Sequence, residues 1–452
     1  MAETMLGKRV DAIRRLARRG AAAPLAKVAA TSRAEDLAAA MTHLARHEQR
    51  LLFGQIQSDA VAADMLVRLS SEDFATVTGD LPIERLVRLF RETEADDHAD
   101  LLARLPEERR NAVLQKLQGE EREEIEELLG YAPDTAGGIM SPLAFRLRSD
   151  VTCRDAIAAV QEASDHELVY YAYIEDPEGQ LVGVTSLRNL LTHPPSTRLA
   201  DIMITDVIAV GAMVDQEEVA RVAGRYDLLA VPVVDEQRRL LGIVTVDDVI
   251  DVIREEAAED MLLMAGVSEE PEESRGGRFA AAVRRLPWLF VTLAASVVTA
   301  EVMTRFGWVL KADIALAGFI PMLTGMAGNV GIQSATLTVR NIATGKLDIG
   351  SFASALGETV TGLILGVIFA LFAGVYCFVR YQNVAVGLSV SLALICNCTS
   401  AALMGTAVPL TLRRLGVDPA IATGPFVTTA MDAVGVTIYL ALAGALLVAL
   451  DT

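Results

Sequence analysis

Residues 319–340, FIPMLTGMAGNVGIQSATLTVR, decide the fold of this chain of 452 residues. The stretch is mostly apolar and long enough to cross a bilayer as a helix, which takes about 20 residues. Yet Asn329, Gln333, Ser334 and Thr336 place polar side chains along it. Polar groups in a membrane helix usually face a neighbouring helix or a water-filled path rather than lipid. The stretch is therefore predicted to be a membrane-spanning helix that lines a pore.

The small residues of the same stretch allow a second interpretation. Pro321, Gly325, Gly328 and Gly331 would loosen the helix or let another backbone approach closely. Glycines three and four residues apart also suit tight packing between membrane helices. The sequence leaves both interpretations of these glycines open.

Charge and hydropathy divide the whole chain into two parts. A formal net charge of −19 beside 52% hydrophobic residues and a mean hydropathy of +0.36 is unusual for one globular domain. Charged residues crowd the chain up to about residue 285, and long apolar runs follow Pro287. A transmembrane domain is expected over 283–452, with five spans at roughly 286–306, 313–339, 353–379, 384–411 and 421–449.

Basic residues predict the orientation of these spans, because cytoplasmic loops are enriched in Lys and Arg. The loops expected to be cytoplasmic carry Arg284, Arg285, Arg340, Lys346, Arg413 and Arg414. The N-terminus is then inside the cell, and after five spans the C-terminus is outside.

Asp432 is the most informative residue of the membrane half. It lies near the middle of the fifth span, in GPFVTTAMDAVG at 424–435. A charge at that depth is costly, and such residues usually line an ion or proton path. The alternative is a carboxylate paired with a basic residue, but no Lys or Arg lies deep in any predicted span. Asp432 is therefore a candidate ion ligand.

The first part of the chain has three sections. Residues 1–135 have helical periodicity and predict a small all-α superhelix. Residues 136–198 and 199–253 contain an internal repeat, in which LVGVTSLRNLL (181–191) aligns with LLGIVTVDDVI (240–250). This resembles a pair of cystathionine-β-synthase-type (CBS) domains, which are α/β units of β-α-β-β-α order. Residues 246–278 are expected to form a connecting, or plug, helix and a linker.

The order of these parts resembles the MgtE family of magnesium channels along nearly the whole chain. The strongest motifs are residues 319–340 and 424–435. The resemblance implies that Asp432 binds the ion, with Thr336 and the carbonyl of Gly435 nearby. Asn329, Gly328 and Gln333, from the polar and small residues of the second span, are further candidate pore or selectivity residues. One Asp per chain is little charge for a divalent site, and a homodimer would bring two copies of Asp432 together on a two-fold axis. Some members carry a polar Asn where this chain has Ile332 and Gly424.

Acidic residues of the cytoplasmic part are the second candidate site. From charge alone, a solvated acidic surface is the expected role. The family resemblance instead implies a magnesium sensor between the helical domain, the CBS pair and the connecting helix. The ligands so implied are Asp215, Glu217, Asp227, Asp248, Asp251, Glu255, Glu256, Glu259 and Asp260, with Asp97 and Asp100 as partners from the helical domain.

The resulting hypothesis is a magnesium-selective channel of the bacterial inner (plasma) membrane, used for magnesium uptake and homeostasis. Internal Mg²⁺ would favour a compact cytoplasmic part and so close the pore. ATP is a candidate modulator, because CBS pairs often bind adenine nucleotides. The acidic balance argues against nucleic acid as a partner and favours divalent cations.

Two other function classes compete with the channel. An ion-coupled secondary transporter of divalent cations could use Asp432 as its coupling carboxylate, although the spans show no clear inverted repeat. An intramembrane metalloprotease would need a motif such as HExxH within the membrane. All five histidines fall in the soluble half, so the chain is not expected to be an enzyme.

Overall fold

The computed structural model describes residues 2–162, 169–267, 277–343, 352–422 and 424–450. These residues form two compact units, Met1–Arg254 and Glu255–Thr452. The predicted linker sequence at 268–276 lies outside the described residues.

Ten helices open the first unit, which confirms the all-α N-terminal domain. They are α1 (Ala2–Arg18), α2 (Ala22–Ala29), α3 (Ala34–Met41), α4 (Arg46–Gly54), α5 (Asp59–Val67), α6 (Ser71–Thr78), α7 (Ile83–Phe90), α8 (Ala95–Ala103), α9 (Glu107–Leu114) and α10 (Glu120–Leu128). Their apolar residues recur at helical spacing, as in α7, where Leu86, Val87, Leu89 and Phe90 are buried. Ser58 and Ser70 cap α5 and α6 with side-chain hydrogen bonds.

Arginines on later helices satisfy the carbonyls that end earlier ones. The Arg104 guanidinium donates to the carbonyls of Leu66, Val67 and Leu69 at the end of α5. Arg109 does the same for the carbonyls after α6. The last four carbonyls of a helix have no partner within that helix, so they are free to accept these hydrogen bonds. Because each arginine belongs to a later part of the chain, the hydrogen bonds also join successive helices into a superhelix.

The basic helix α1 belongs to this domain rather than to a membrane surface. Ile13 and Ala17 on its apolar face are buried in the same core as α3 and α4, and Val10 and Leu16 pack against it. Arg15 and Arg18 are exposed, so they lie on the solvated side of an ordinary amphipathic helix.

The CBS repeat has the predicted β-α-β-β-α order in both copies. The first copy contains β1 (Arg146–Arg148), α11 (Cys153–Glu162), β2 (Tyr171–Glu175), β3 (Leu181–Ser186) and α12 (Leu187–Thr192), and α13 (Leu199–Ile202) follows. The second contains β4 (Val210–Gly211), α14 (Gln216–Tyr226), β5 (Ala230–Val234), β6 (Leu240–Thr245) and α15 (Val246–Met264). Each three-stranded sheet pairs its first two strands in parallel and its last two antiparallel.

The second unit holds the five predicted membrane helices. They are α16 (Gly277–Arg305), α18 (Ala315–Ala343), α19 (Phe352–Tyr381), α20 (Val384–Arg414) and α21 (Pro425–Leu450), with the short α17 (Gly307–Ala312) after the first. All five contain a stretch long and apolar enough to span a membrane. The fifth begins at Pro425 rather than at 421, after a separate turn of 3₁₀-helix at Pro419–Ala422. Proline suits the first helical position, where its missing N–H costs no bond.

Close backbone contacts hold α18 and α20 together. A Cβ at Gly405 of α20 would lie 2.4 Å from the Gly331 carbonyl oxygen of α18. The fully buried Tyr439 of α21 donates its hydroxyl to the Leu316 carbonyl of α18 over 2.9 Å. These contacts fix the position of α18 between its neighbours.

Candidate functional site

The polar side chains that mark α18 lie along one exposed face of that helix. Pro321, Gly325, Asn329, Gln333 and Thr336 are all exposed in the single chain. Their spacings of four, four, four and three residues place them on one side. We call this face the polar stripe. It contains three of the predicted pore residues, Asn329, Gln333 and Thr336.

Gly328, another predicted pore residue, lies on a different side of α18. It is buried, and a Cβ there would lie 3.3 Å from Cγ2 of Thr428 on α21. Gly331 similarly faces Val427. These two glycines let α18 approach α21 near the beginning of the latter helix, as the packing interpretation expects.

Asp432 lies one turn after Thr428 on α21 and is half-buried. In the described part of the chain no basic side chain forms an ion pair with it. The alternative of a paired structural carboxylate therefore lacks support from the residues that the structure describes. Magnesium prefers oxygen ligands and keeps several of its waters, so a half-buried carboxylate suits a hydrated ion.

The Gly435 carbonyl, predicted to lie near the ion, has a neighbour that sequence reasoning missed. The Asn397 side chain of α20 donates its Nδ2 hydrogen to this carbonyl over 3.3 Å. Asn397 is fully buried. The sequence did contain one signal. A polar side chain is rare within an apolar membrane span, and Asn397 in the fourth span is such a residue, as Asp432 is in the fifth.

Glu358 is a second membrane carboxylate that the sequence interpretation missed. It lies in the second turn of α19 and accepts a hydrogen bond of 3.1 Å from the Ser334 hydroxyl. Ser334 is buried and lies next to Gln333 on α18. Glu358 therefore stabilises the side of α18 that faces away from the polar stripe.

In the cytoplasmic unit, acidic residues of α8 lie close to the start of α15. Asp96 is 8% exposed, and burial together with the negative charge of Asp248 raises its pKa to about 8. Burial and Asp248 also raise the pKa of Asp97 to about 7. Burial raises the pKa of Asp248, whose carboxylate accepts from the Thr245 hydroxyl over 2.5 Å.

Two of these three residues were predicted and one was not. Asp97 and Asp248 were candidate ligands, and Asp100, also a candidate, contributes to the raised pKa of Asp97. Asp96 was missed, although it is the more strongly affected residue. We call Asp96, Asp97, Asp100 and Asp248 the acidic cluster.

The remaining predicted sensor residues of the first unit lie elsewhere. Asp215 caps the beginning of α14 through the Glu217 N–H, and Asp227 ends the same helix in a left-handed conformation. An α-helix rises 1.5 Å per residue, so the two ends of α14 are roughly 16 Å apart and do not share one ion. Asp251 pairs with Arg254 over 3.2 Å. Further along α15, Glu255 and Glu259 are exposed, and Glu256 and Asp260 are partly buried.

A finished metal cage is absent from the residues that the structure describes, since no three His, Cys, Asp or Glu side chains there converge on one point. The acidic cluster is thus a group of neighbouring carboxyl groups rather than a complete coordination shell. Mg²⁺ usually binds through one or two carboxylates and its own waters, which fits such a region.

A cleft in the CBS pair is a separate candidate site. It is lined by Glu94, Ser141, Leu143, Phe145, Val169, Tyr171, Tyr173, Ala230, Ile243, Thr245 and Asp247. The aromatic rings of Tyr171 and Tyr173 lie 6.5 Å apart at one side of it. Aromatic walls with a few polar groups are typical of sites for small organic ligands.

Family comparisons match all three parts of the chain. Residues 320–442 match the family described as MgtE, divalent cation transporter. Residues 32–134 match the MgtE intracellular N domain, and residues 199–255 match the CBS domain.

Two magnesium transporters from bacteria lead to the same family. The magnesium transporter MgtE of Thermus thermophilus is 38% identical, over 91% of this chain and 93% of that protein. The magnesium transporter MgtE of Enterococcus faecalis is 41% identical, over 71% of each chain. Among solved structures, the cytosolic domain of the Mg²⁺ channel MgtE in complex with ATP is 38% identical, covers 50% of this chain and 93% of its own, and has a TM-score of 0.48.

Proposed function

Because the chain belongs to the MgtE family of magnesium transporters, we propose that it is a magnesium-selective channel gated by intracellular Mg²⁺. Transport rather than enzyme chemistry is the activity of this family. The finer assignment rests on one observation above all: the exposed polar stripe of α18 in a membrane protein with an unpaired Asp432 on the neighbouring α21.

The polar stripe argues for a second copy of the chain. Asn329 and Gln333 are exposed on a helix that spans the membrane. Polar groups in contact with hydrocarbon lose their hydrogen bonds to water at a cost of several kcal/mol each. A two-fold axis along the stripe would remove these groups from lipid and surround a water-filled path. It would also bring two Asp432 carboxylates to one ion.

The end of α15 supports a gating role for that helix. A Cβ at position 424 would lie 2.2 Å from the Met264 carbonyl oxygen, so the end of α15 lies against the beginning of α21. Gly424 permits this approach because it has no side chain. Movement of α15 would then be transmitted to the helix that carries Asp432.

The acidic cluster supports magnesium as the signal for that movement. Asp96 and Asp97 on α8 and Asp248 on α15 repel one another when ionised. A divalent cation between them would remove this repulsion, so Mg²⁺ favours the compact arrangement over an open one. Asp215, Glu217, Asp227 and the acids of α15 would add further weak sites, and several weak sites together make closure steep.

ATP is proposed as a modulator that binds in the CBS cleft, where Tyr171, Tyr173 and Phe145 offer aromatic surface for an adenine ring. The protein is proposed to lie in the bacterial inner membrane with its N-terminus in the cytoplasm and its C-terminus outside. The support is the basic loop residues, among them Arg340 and Arg413.

The decisive experiment is Mg²⁺ flux into liposomes that contain the purified full chain, with an Asp432→Asn variant. We expect this variant to lose Mg²⁺ flux. Glu301→Gln is the matched control, because Glu301 also lies on a membrane helix but pairs with Arg305 over 3.4 Å. Wild-type flux in Asp432→Asn would refute the pore site. Accumulation of Mg²⁺ against its gradient would favour the ion-coupled transporter instead.

A further inference from the structure

We infer that Asn397 is a positioning residue for the cation site at Asp432, through its hydrogen bond to the Gly435 carbonyl. The inference rests on the proposed pore function and names a residue of α20 that acts on the site without touching the ion.

The geometry places Asn397 against Gly435, which follows Asp432 on α21. Its Nδ2 atom lies 3.3 Å from the Gly435 carbonyl oxygen. Gly435 follows Asp432 by three residues on the unbroken helix α21, so the two lie about one turn apart on the same side. A Cβ at Gly435 would lie only 3.0 Å from Nδ2, so a side chain there would crowd the amide.

Packing alone does not explain a buried amide at position 397, because a buried polar atom without a hydrogen bond destabilises the fold. Asn397 is fully buried, and its Oδ1 atom has no hydrogen-bond partner among the described residues. A leucine of similar size would fill the same space without an unsatisfied acceptor. The amide nitrogen of Asn397 does form a hydrogen bond, and its acceptor is the Gly435 carbonyl.

The hydrogen bond changes what the carbonyl can do. Inside an α-helix the Gly435 oxygen also accepts from the N–H of Tyr439. With Asn397 as a second donor, both lone pairs of that oxygen are used. The carbonyl is then held in place and is not free to replace a water of the ion. Asp432 would meet a hydrated Mg²⁺, which gives up its waters reluctantly.

Loss of the donor should therefore weaken ion discrimination. A freed Gly435 carbonyl could coordinate Ca²⁺, which accepts direct oxygen ligands in flexible geometry. We expect Asn397→Leu to raise Ca²⁺ flux relative to Mg²⁺ flux by roughly two- to tenfold, the range for one hydrogen bond of ordinary strength.

The test measures Mg²⁺ and Ca²⁺ flux, with half-saturating concentrations, in liposomes containing the full chain. Asn397→Leu and Asn397→Ala both remove the hydrogen-bond donor. If the leucine variant does not fold, the smaller alanine variant provides the test. Thr406→Val is the matched control, since Thr406 is fully buried on the same helix and its hydroxyl donates to the Ala402 carbonyl of that helix.

The outcomes distinguish the role of Asn397 from the proposed pore site at Asp432. A changed Ca²⁺ to Mg²⁺ ratio in a folded Asn397 variant, with an unchanged ratio in Thr406→Val, supports the inference. If the Asn397 variants and the control give the same ratio while Asp432→Asn loses flux, the inference is wrong and the pore site stands. If Asp432→Asn keeps wild-type flux, the proposed function itself fails.

Discussion

The carboxylate of Asp248, at the start of α15, faces Asp96 on α8, so that burial and the charge of Asp248 raise the pKa of Asp96 to about 8. The two residues are 152 positions apart in the chain. This relationship joins the helical domain to the CBS pair through groups that repel each other when ionised. A proton or a divalent cation can relieve the repulsion, and the two should compete.

The first prediction is a pH dependence of the cytoplasmic unit without Mg²⁺. The groups involved are Asp96, Asp97, Asp100, Asp248 and Asp64, with Arg68 as the nearby cation. A carboxyl whose pKa is raised in the compact state takes up protons there. The compact state therefore keeps its full stability below about pH 4 and loses it as the pH rises to about 8, the value for Asp96.

The variant Asp96→Asn isolates this effect, because an amide carries no charge at any pH. Without Mg²⁺ at pH 8.5, we expect its melting temperature to exceed that of the wild type, by roughly 2 to 4 °C for each kcal/mol of repulsion removed. At about pH 4, where the carboxyl group of Asp96 is protonated in the compact state and begins to be protonated in the unfolded one, the two should melt at closely similar temperatures. Added Mg²⁺ should stabilise the wild type more than the variant. A variant that melts below the wild type at both pH values without Mg²⁺ would contradict the prediction.

The second prediction concerns the sensor as a whole. Changing Asp248, Asp251, Glu256 and Glu259 to their amides should remove the protection against proteolysis that millimolar-order Mg²⁺ gives the wild type, since amides do not bridge through a divalent ion. The channel should then stay open at high Mg²⁺. Limited proteolysis and flux measurements on the same preparation test both statements.

A matched control removes four charges from another surface. Glu107, Glu108, Glu123 and Glu127 are exposed on α9 and α10 and far along the chain from α15. Their amides should leave the Mg²⁺ response unchanged. If the quadruple sensor variant still closes at the wild-type Mg²⁺ concentration, the predicted sensor residues are only a solvated acidic surface.

Local patterns were enough to predict the elements, but not the contacts between them. Apolar length identified all five membrane helices, and the repeat identified two β-α-β-β-α units. Asp96 was missed because Asp96 and Asp97 look alike in sequence, and only the docking of α8 buries the first more deeply. The contact of Asn397 with Gly435 joins residues 38 positions apart. It depends on how α20 packs against α21, which no local pattern reports.

The third prediction tests the packing of α18 against α20. Gly405→Ala should lower the free energy of unfolding of the detergent-solubilised protein by about 1–3 kcal/mol, because the new methyl group would clash with the Gly331 carbonyl. The melting temperature should fall accordingly. Gly357→Ala on α19 is the control, because a Cβ there meets nothing within 4 Å. Alanine also favours a helix over glycine by up to about 1 kcal/mol, so this control should be neutral or stabilising. Equal melting temperatures for the two variants would show that the close contact is not needed.

The fourth prediction distinguishes a water-filled path from a surface in lipid. Asn329 lies on the polar stripe, whereas Leu371 is 65% exposed on α19 and has an apolar side chain. Both lie within predicted membrane spans, so depth alone does not make either one accessible to water. If the stripe lines the pore of a dimer, a cysteine at Asn329 should react with a charged, water-soluble thiol reagent, and a cysteine at Leu371 should not.

The measurement needs a chain in which the four native cysteines are replaced and flux is retained. Labelling of Asn329→Cys should be fast at low Mg²⁺ and at least several-fold slower at high Mg²⁺, because the proposed gate closes the path. It should also reduce Mg²⁺ flux, since the reagent adds bulk and charge to the polar stripe. Labelling of Leu371→Cys should be slow under both conditions. A reaction at Asn329→Cys as slow as that at Leu371→Cys would place the stripe against protein or lipid, and the pore would then have to lie elsewhere in the molecule.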